Sequence, residues 1–184
     1  MSNEVNKEER LLKVLNNVND WLKFAESKNA MLIAFNAASI FGAAQLSALD
    51  SVKKSELLIN YIIIVVIILV FSTVVSMLSF VPRIKILKGG LYAPSKVRNR
   101  LFYEYLKGQN EVQIIQQVCE TTEGTFKEFE IDIANQIQQN ASIASKKFSY
   151  FTIAVWLTLC AYVTFPVALV FCIFTYTNPR YPER

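Results

Sequence analysis

The 184-residue sequence contains no histidine. That absence removes the commonest general base, the commonest zinc ligand and every Ser-His or Cys-His nucleophile pair. Three cysteines, Cys119, Cys160 and Cys172, show no CxxC spacing, and two fall in the last apolar stretch, so they read as buried thiols and not as a metal or redox centre. Glycine is sparse, at five residues, and the Gly89-Gly90 pair lacks the lysine and hydroxyl context of a P-loop. Charge is scarce too, at 18% of residues, and is missing altogether from 29–49, 57–81 and 148–178. These absences predict a protein that is not an enzyme and holds no metal or cofactor.

What remains is apolar: 53% of the residues are hydrophobic, and each uncharged run exceeds the length of about 18 residues that marks a membrane span. The fold class expected is all-α, an integral membrane protein with three transmembrane helices plus cytoplasmic helices. Residues 1–28 form an amphipathic N-terminal helix with Leu11, Leu15, Val18, Leu22 and Ala25 on one face. Its balanced charges favour packing on the protein over lying on a bilayer. Spans follow at 29–49, 57–81 and 148–176, with a helical cytoplasmic region at 82–147 and a short outer tail at 177–184. The brief stretch between the first two spans makes them an antiparallel hairpin. Within 82–147, residues 99–119 and 125–147 read as helices. The second carries the stripe Phe126, Phe129, Ile133, Ile137, Ala141 and Ala144 and runs into the last span, where Pro166 is a place for a kink.

The first span is the odd one. It carries Asn36, Ser39, Gln45 and Ser47 together with rows of small residues (Ala34, Ala38, Gly42 and Ser39, Ala43, Ser47) that let helices approach closely in lipid. It is expected to face protein, as an inter-subunit or pore-facing surface of a homo-oligomer. Lys and Arg number five before the first span, two in the hairpin loop, ten between the second and third spans and two in the tail. The positive-inside rule then puts the N-terminus and the middle region in the cytoplasm and the C-terminus in the periplasm of a multi-pass inner-membrane protein.

Two features could carry recognition. Glu128 and Asp132 would share a helix face, but nothing nearby supplies a further ligand, and they read as solvated. The basic cluster Arg83, Lys85, Lys88, Lys96, Arg98 and Arg100 is the strong charge asymmetry. Such clusters attract anionic lipid headgroups. Arginine forks with Tyr92, Phe102, Tyr103 and Tyr105 beside them also suit a phosphate and a stacked base. Both uses stay open, with Arg83, Lys85, Lys88, Arg98, Arg100 and Tyr103 as candidate ligand-binding residues and no role for a nucleic acid polymer.

The junction WLKFAESKNAMLIAFNAA resembles the N-terminal motif of the Pycsar transmembrane effectors at Trp21, Phe24, Ala25, Glu26, Lys28, Asn29 and Asn36. In that family an aromatic-rich helix ends in an acid, a lysine and a small or amide residue before an Ala-rich span with an Asn. Asn29 stands where a small Ala is commoner. SFVPR, RLFYEYL and IANQIQQNASIASKKFSYF, in this order, are similar to later family pieces, so the likeness runs from about residue 15 to 165. It implies a bacterial antiphage role. A partner cyclase triggered by phage makes a cyclic pyrimidine mononucleotide, cCMP or cUMP, and the effector impairs the inner membrane, killing the cell in abortive infection. It does not assign the nucleotide-binding residues. The reading from another class is a constitutive membrane scaffold or anchor that recruits a cytoplasmic partner.

Overall fold

The structure, a computed structural model, describes residues 2–53, 56–81, 99–122 and 124–177, together with the side chains of all of these except 2–5, 51 and 165–177. Among these residues six helices follow in order: α1 (Ser2–Ser47), α2 (Asp50–Lys53), α3 (Glu56–Leu78), α4 (Tyr103–Leu106), α5 (Glu111–Cys119) and α6 (Glu128–Thr177). No strand occurs among the described residues. The chain forms two compact units, one of Met1–Ala30 with Leu78–Phe151 and one of Met31–Met77 with Thr152–Arg184, and α1 and α6 each contribute to both. Arg83, Lys85, Lys88, Lys96, Arg98, Tyr92 and the tail 178–184 lie outside the described residues.

The first unit is built by water. Leu11, Val14 and Val18 of α1, Leu106 of α4, Ile114 and Ile115 of α5, and Ile133, Ala134, Ile137 and Ala141 of α6 form one buried core. The α1 stripe is present, with Leu15 and Leu22 half-buried at its edge. Polar contacts flank the core: Asn17 Nδ2 donates to the Leu101 carbonyl at 2.7 Å, and Asn140 Nδ2 to Asn19 Oδ1 at 2.8 Å. Lys107 joins Glu104 and Ser145 in a part-buried triad that holds α4 against α6.

Two expectations for this unit need correction. The helix expected over 99–119 is two short ones, because Gly108 breaks the run and Asn110 restarts it. Asn110 caps α5 with a capping box: its side chain accepts from Gln113 N at 2.8 Å, and the Gln113 side chain accepts from Asn110 N at 3.1 Å. The α6 stripe also differs at its start. α6 begins at Glu128, and Phe129 is 55% exposed while Glu130 is only 3% exposed. At the pitch of an α-helix Glu130 lies about 20° from the direction of Ile137 and Phe129 about 80° from it. Burial of the carboxylate is offset by the Lys127 backbone N–H, which donates to Glu130 Oε2 at 3.1 Å. Glu128 and Asp132 are exposed.

The second unit is built the other way round. Its outer faces carry Phe35, Phe41, Ile64, Phe71, Trp156 and Val163, all more than half exposed, whereas its buried positions are Asn36, Leu69, Ser72, Ser76, Ala154, Thr158 and Ala161. Apolar outside and small or polar inside is untenable in water and natural in lipid, where helices meet through small residues and hydrogen bonds. α1, α3 and α6 are each long and apolar enough to cross a membrane. The protein is a membrane protein, with three such helices among the described residues. α6 continues through Pro166 to Thr177. Cys160 is exposed and not buried, because it lies about 200° round α6 from the inward Thr158.

Asn110→Ala removes the side-chain acceptor at the start of α5 and is expected to cost about 1 kcal/mol. Hydrogen exchange of the α5 amides reads this directly, and exchange should speed up there while the α6 amides stay protected.

Candidate functional site

The residues singled out in WLKFAESKNAMLIAFN divide between two clusters, one in each unit. In the first unit, Ala25 and Asn29 stand one turn apart on the inward face of α1, and both are fully buried. Asn29 Nδ2 donates to the Ala25 carbonyl at 2.9 Å and to the Lys147 carbonyl of α6 at 3.3 Å, while its Oδ1 is buried with no partner. Glu26 accepts from Lys147 Nζ at 2.9 Å, and the same ammonium lies 5.4 Å from the centre of the Phe80 ring. Lys147 is thus held from three sides: its carbonyl by Asn29, its charge by Glu26 and its positive face by an aromatic ring.

Beside this clamp five aromatic rings converge. Trp21 meets Phe24, Phe102, Tyr103 and Phe148 at centroid distances of 6.2, 6.1, 5.7 and 6.3 Å, mostly edge-on, and Tyr103 stacks on Phe148 at 5.0 Å with 17° between planes. Such pairs add about 0.5–1.5 kcal/mol each beyond their buried area. Burial, and then the neighbouring Glu104 charge, push the Tyr103 phenol up to about 12. Burial likewise raises the Cys119 thiol, which donates to the Lys7 carbonyl at 3.8 Å. Lys28 sits 5.0 Å over the Phe24 ring. Arg100 pairs with Glu120 at 2.8 Å, with both side chains exposed. Glu120 itself takes the left-handed cap of α5, with φ of 54°.

Along the polar side of α1, Asn16, Asn19, Asp20, Leu22, Lys23 and Glu26 line a groove of about 520 Å³. Its amides and paired charges can hydrogen-bond a polar ligand. Among the described residues no group of three His, Cys, Asp or Glu side chains could hold a metal ion.

In the second unit Asn36 is fully buried within the chain's own three helices. Its Nδ2 donates to Ser72 Oγ of α3 at 2.9 Å, and its Oδ1 accepts from Thr158 Oγ1 of α6 at 3.0 Å. Ser72 Oγ in turn donates to the Ala154 carbonyl at 2.7 Å and lies 2.8 Å from Thr158 Oγ1. An amide in hydrocarbon needs both its donor and its acceptor answered, and one hydroxyl from each partner helix does so. Of the other polar residues of this span, Ser39 donates to the Phe35 carbonyl at 2.7 Å and pairs with Tyr162, Ser47 bonds its own helix at Ala44, and Gln45 is exposed.

The motif residues Trp21, Glu26, Lys28 and Asn29 and the ligand candidate Tyr103 are two separate groups in the sequence. The structure brings Trp21 and Tyr103 into one ring cluster and adds Phe102, Lys147 and Phe148 as partners, and Ser72 and Thr158 as partners of Asn36, none of which the sequence reading pairs with them. The signal for the last two was present as hydroxyl residues inside the apolar runs LVFSTVV and WLTLC. Nothing in the linear spacing marks Lys147.

Two measurements probe the first cluster. A double-mutant cycle on Glu26→Gln and Lys147→Met should give a coupling of about 1 kcal/mol, the upper range for a pair with one half-exposed partner. For Tyr103, the folded chain keeps the phenol proton up to about 12 and the unfolded chain loses it near 10.0. Between these values the folded state binds more protons, so stability is full below the lower value and falls as pH rises toward the upper one. Tyr103→Phe should flatten that alkaline loss in unfolding followed by circular dichroism.

Comparison with known proteins agrees with the resemblance of the junction motif. The model of the Pycsar effector protein domain, PycTM, matches residues 10–174. No curated protein and no solved structure matches the chain significantly. With the family matched over most of its length and three helices suited to lipid, the chain belongs to the Pycsar effectors, as a membrane protein of antiphage defence.

Proposed function

We propose that the protein senses a cyclic pyrimidine nucleotide, cyclic CMP or cyclic UMP, made by a partner cyclase, and answers by impairing the inner membrane, so that the infected cell dies before phage mature. The observation that carries this reading is the match to the Pycsar effector domain over residues 10–174, on a chain whose second unit is inside-out for water. The protein performs no catalysis of its own and needs no cofactor. It works as a homo-oligomer in contact with anionic lipids, with the N-terminal helix and the basic segment in the cytoplasm and the C-terminus in the periplasm. The excess of Lys and Arg ahead of the first span and between the second and third supports that orientation.

The ligand is taken up by the first unit. Arg100 suits a phosphate because its present partner is cheaply exchanged: an ion pair with both side chains exposed is worth at most about 1 kcal/mol, and a phosphate offers a guanidinium a charge-assisted pair of hydrogen bonds. One face of Tyr103 is taken by Phe148, so Tyr103 serves by holding the ring cluster beside the site, and not as a free stacking platform. Binding favours whichever helix packing holds the nucleotide more tightly, and the equilibrium moves only by that difference in affinity.

Membrane potential in cells producing the protein should collapse on addition of cyclic CMP or cyclic UMP and hold without them. Purified protein should bind one of the two, and Arg83→Ala, Arg98→Ala or Arg100→Ala should weaken binding about tenfold, the value of one lost charge-assisted contact. A potential indifferent to both nucleotides would end the sensing reading.

A further inference from the structure

We propose that the second unit is itself a permeation element for small monovalent ions, and that Asn36, Ser72 and Thr158 are its closed gate. This rests on the reading that the protein impairs membranes, and states by what route.

The gate stands near the middle of the bilayer. Asn36 lies eight residues beyond Lys28 on α1, and Thr158 eleven beyond Lys147 on α6, or about 12 and 16 Å at 1.5 Å per residue in a hydrocarbon core about 30 Å thick. Other polar groups extend along the same helices. Ser76, one turn from Ser72, is fully buried. Toward the start of α3 the row of polar groups reaches the surface, where Ser39 pairs with Tyr162 and Tyr61 with Thr164 at 3.1 Å, both pairs exposed. From Ser76 to Tyr61 this file covers fifteen residues of α3, about 22 Å of the core. Among the described residues its polar groups are hydroxyls, one amide and backbone carbonyls. Such neutral oxygens can replace part of the water shell of a monovalent ion, whereas divalent ions give up water less readily and are bound largely through carboxylates.

The hydrogen bonds are balanced in an uneven way. Asn36 depends on both partners, but they do not depend on Asn36. Without the amide, Ser72 still donates to the Ala154 carbonyl and Thr158 can donate to Ser72, so every polar atom left is answered. Without Ser72, the Asn36 Nδ2 has lost its acceptor in a dry site; without Thr158, the Asn36 Oδ1 has lost its donor. Ser76 Oγ already lacks a partner in the closed arrangement. An orphaned buried polar group costs about 1–3 kcal/mol, and water entering the file removes that cost. Ser76 alone therefore leaves the unit shut but biased toward opening, and a second orphaned group, at Asn36, tips it open.

The test uses the full-length protein in phosphatidylethanolamine–phosphatidylglycerol vesicles holding potassium and the larger anion calcein, with no nucleotide present. Wild-type vesicles should keep both. Ser72→Ala and Thr158→Val should each speed potassium release about tenfold while calcein stays inside. Asn36→Leu should be as tight as wild type, and Asn36→Leu combined with Ser72→Ala should restore tightness, which a merely misfolded Ser72→Ala could not do. A Ser72→Ala leak that persists in the double variant, an Asn36→Leu as leaky as Ser72→Ala, calcein escaping with potassium, or no leak in either hydroxyl variant would each overturn the gate. Vesicles indifferent to cyclic CMP and cyclic UMP while Ser72→Ala leaks would refute sensing and leave the gate standing.

Discussion

A polar group in hydrocarbon has no water to turn to, and the second unit is arranged around that constraint. Leucine, isoleucine and phenylalanine are nearly indifferent to whether lipid or another helix covers them, so they cannot set how α1, α3 and α6 are turned about their own axes. Asn36, Ser72 and Thr158 can, because only one rotation of each helix brings an amide and two hydroxyls within 3.0 Å of one another. The large apolar side chains are then left outside by default, and the small ones, Ala154 and Ala161, come inside where close approach needs them.

The first unit obeys the opposite solvent. Its stripe of leucine, valine and isoleucine is buried because water expels it, and its charges lie outside, are paired, as Glu26 is with Lys147 and Glu104 with Lys107, or, at Glu130, are answered by a backbone N–H. One helix satisfies both rules. Leu11, Val14, Val18, Ala25, Asn29 and Asn36 all project from the same side of α1, within about 60° of arc at 100° per residue. The buried side keeps its direction along the helix while its chemistry changes from aliphatic to amide. Asn29 and Asn36 are two turns apart at that change, the first bonded to backbone and the second to side chains.

Much of this could be read in the linear order of residues. Runs without charge announce spans, three- and four-residue steps announce the α1 stripe, and the junction motif points to the family. Misreadings came where a residue's role depends on one or two degrees of geometric freedom. Phe129 and Glu130 are neighbours whose burial is the reverse of their hydropathy, because rotation round α6 and a cap at Lys127 outweigh transfer energy. The α4–α5 break was legible in Gly108 and in the Asn110–Gln113 spacing, but only as one of several turns that run could make.

By itself the sequence determined the solvent of each segment, the helical class and the kinship, since these follow from composition and short-range periodicity summed over many residues. Tertiary structure alone decided that Lys147 is the anchor of Glu26 and Asn29, and that Asn36 is answered from within by Ser72 and Thr158. The reason is physical: a hydrogen bond between groups more than a hundred residues apart, such as Asn36 and Thr158, leaves no periodic trace in the chain, and it exists only when independent helices reach the right rotation and depth together.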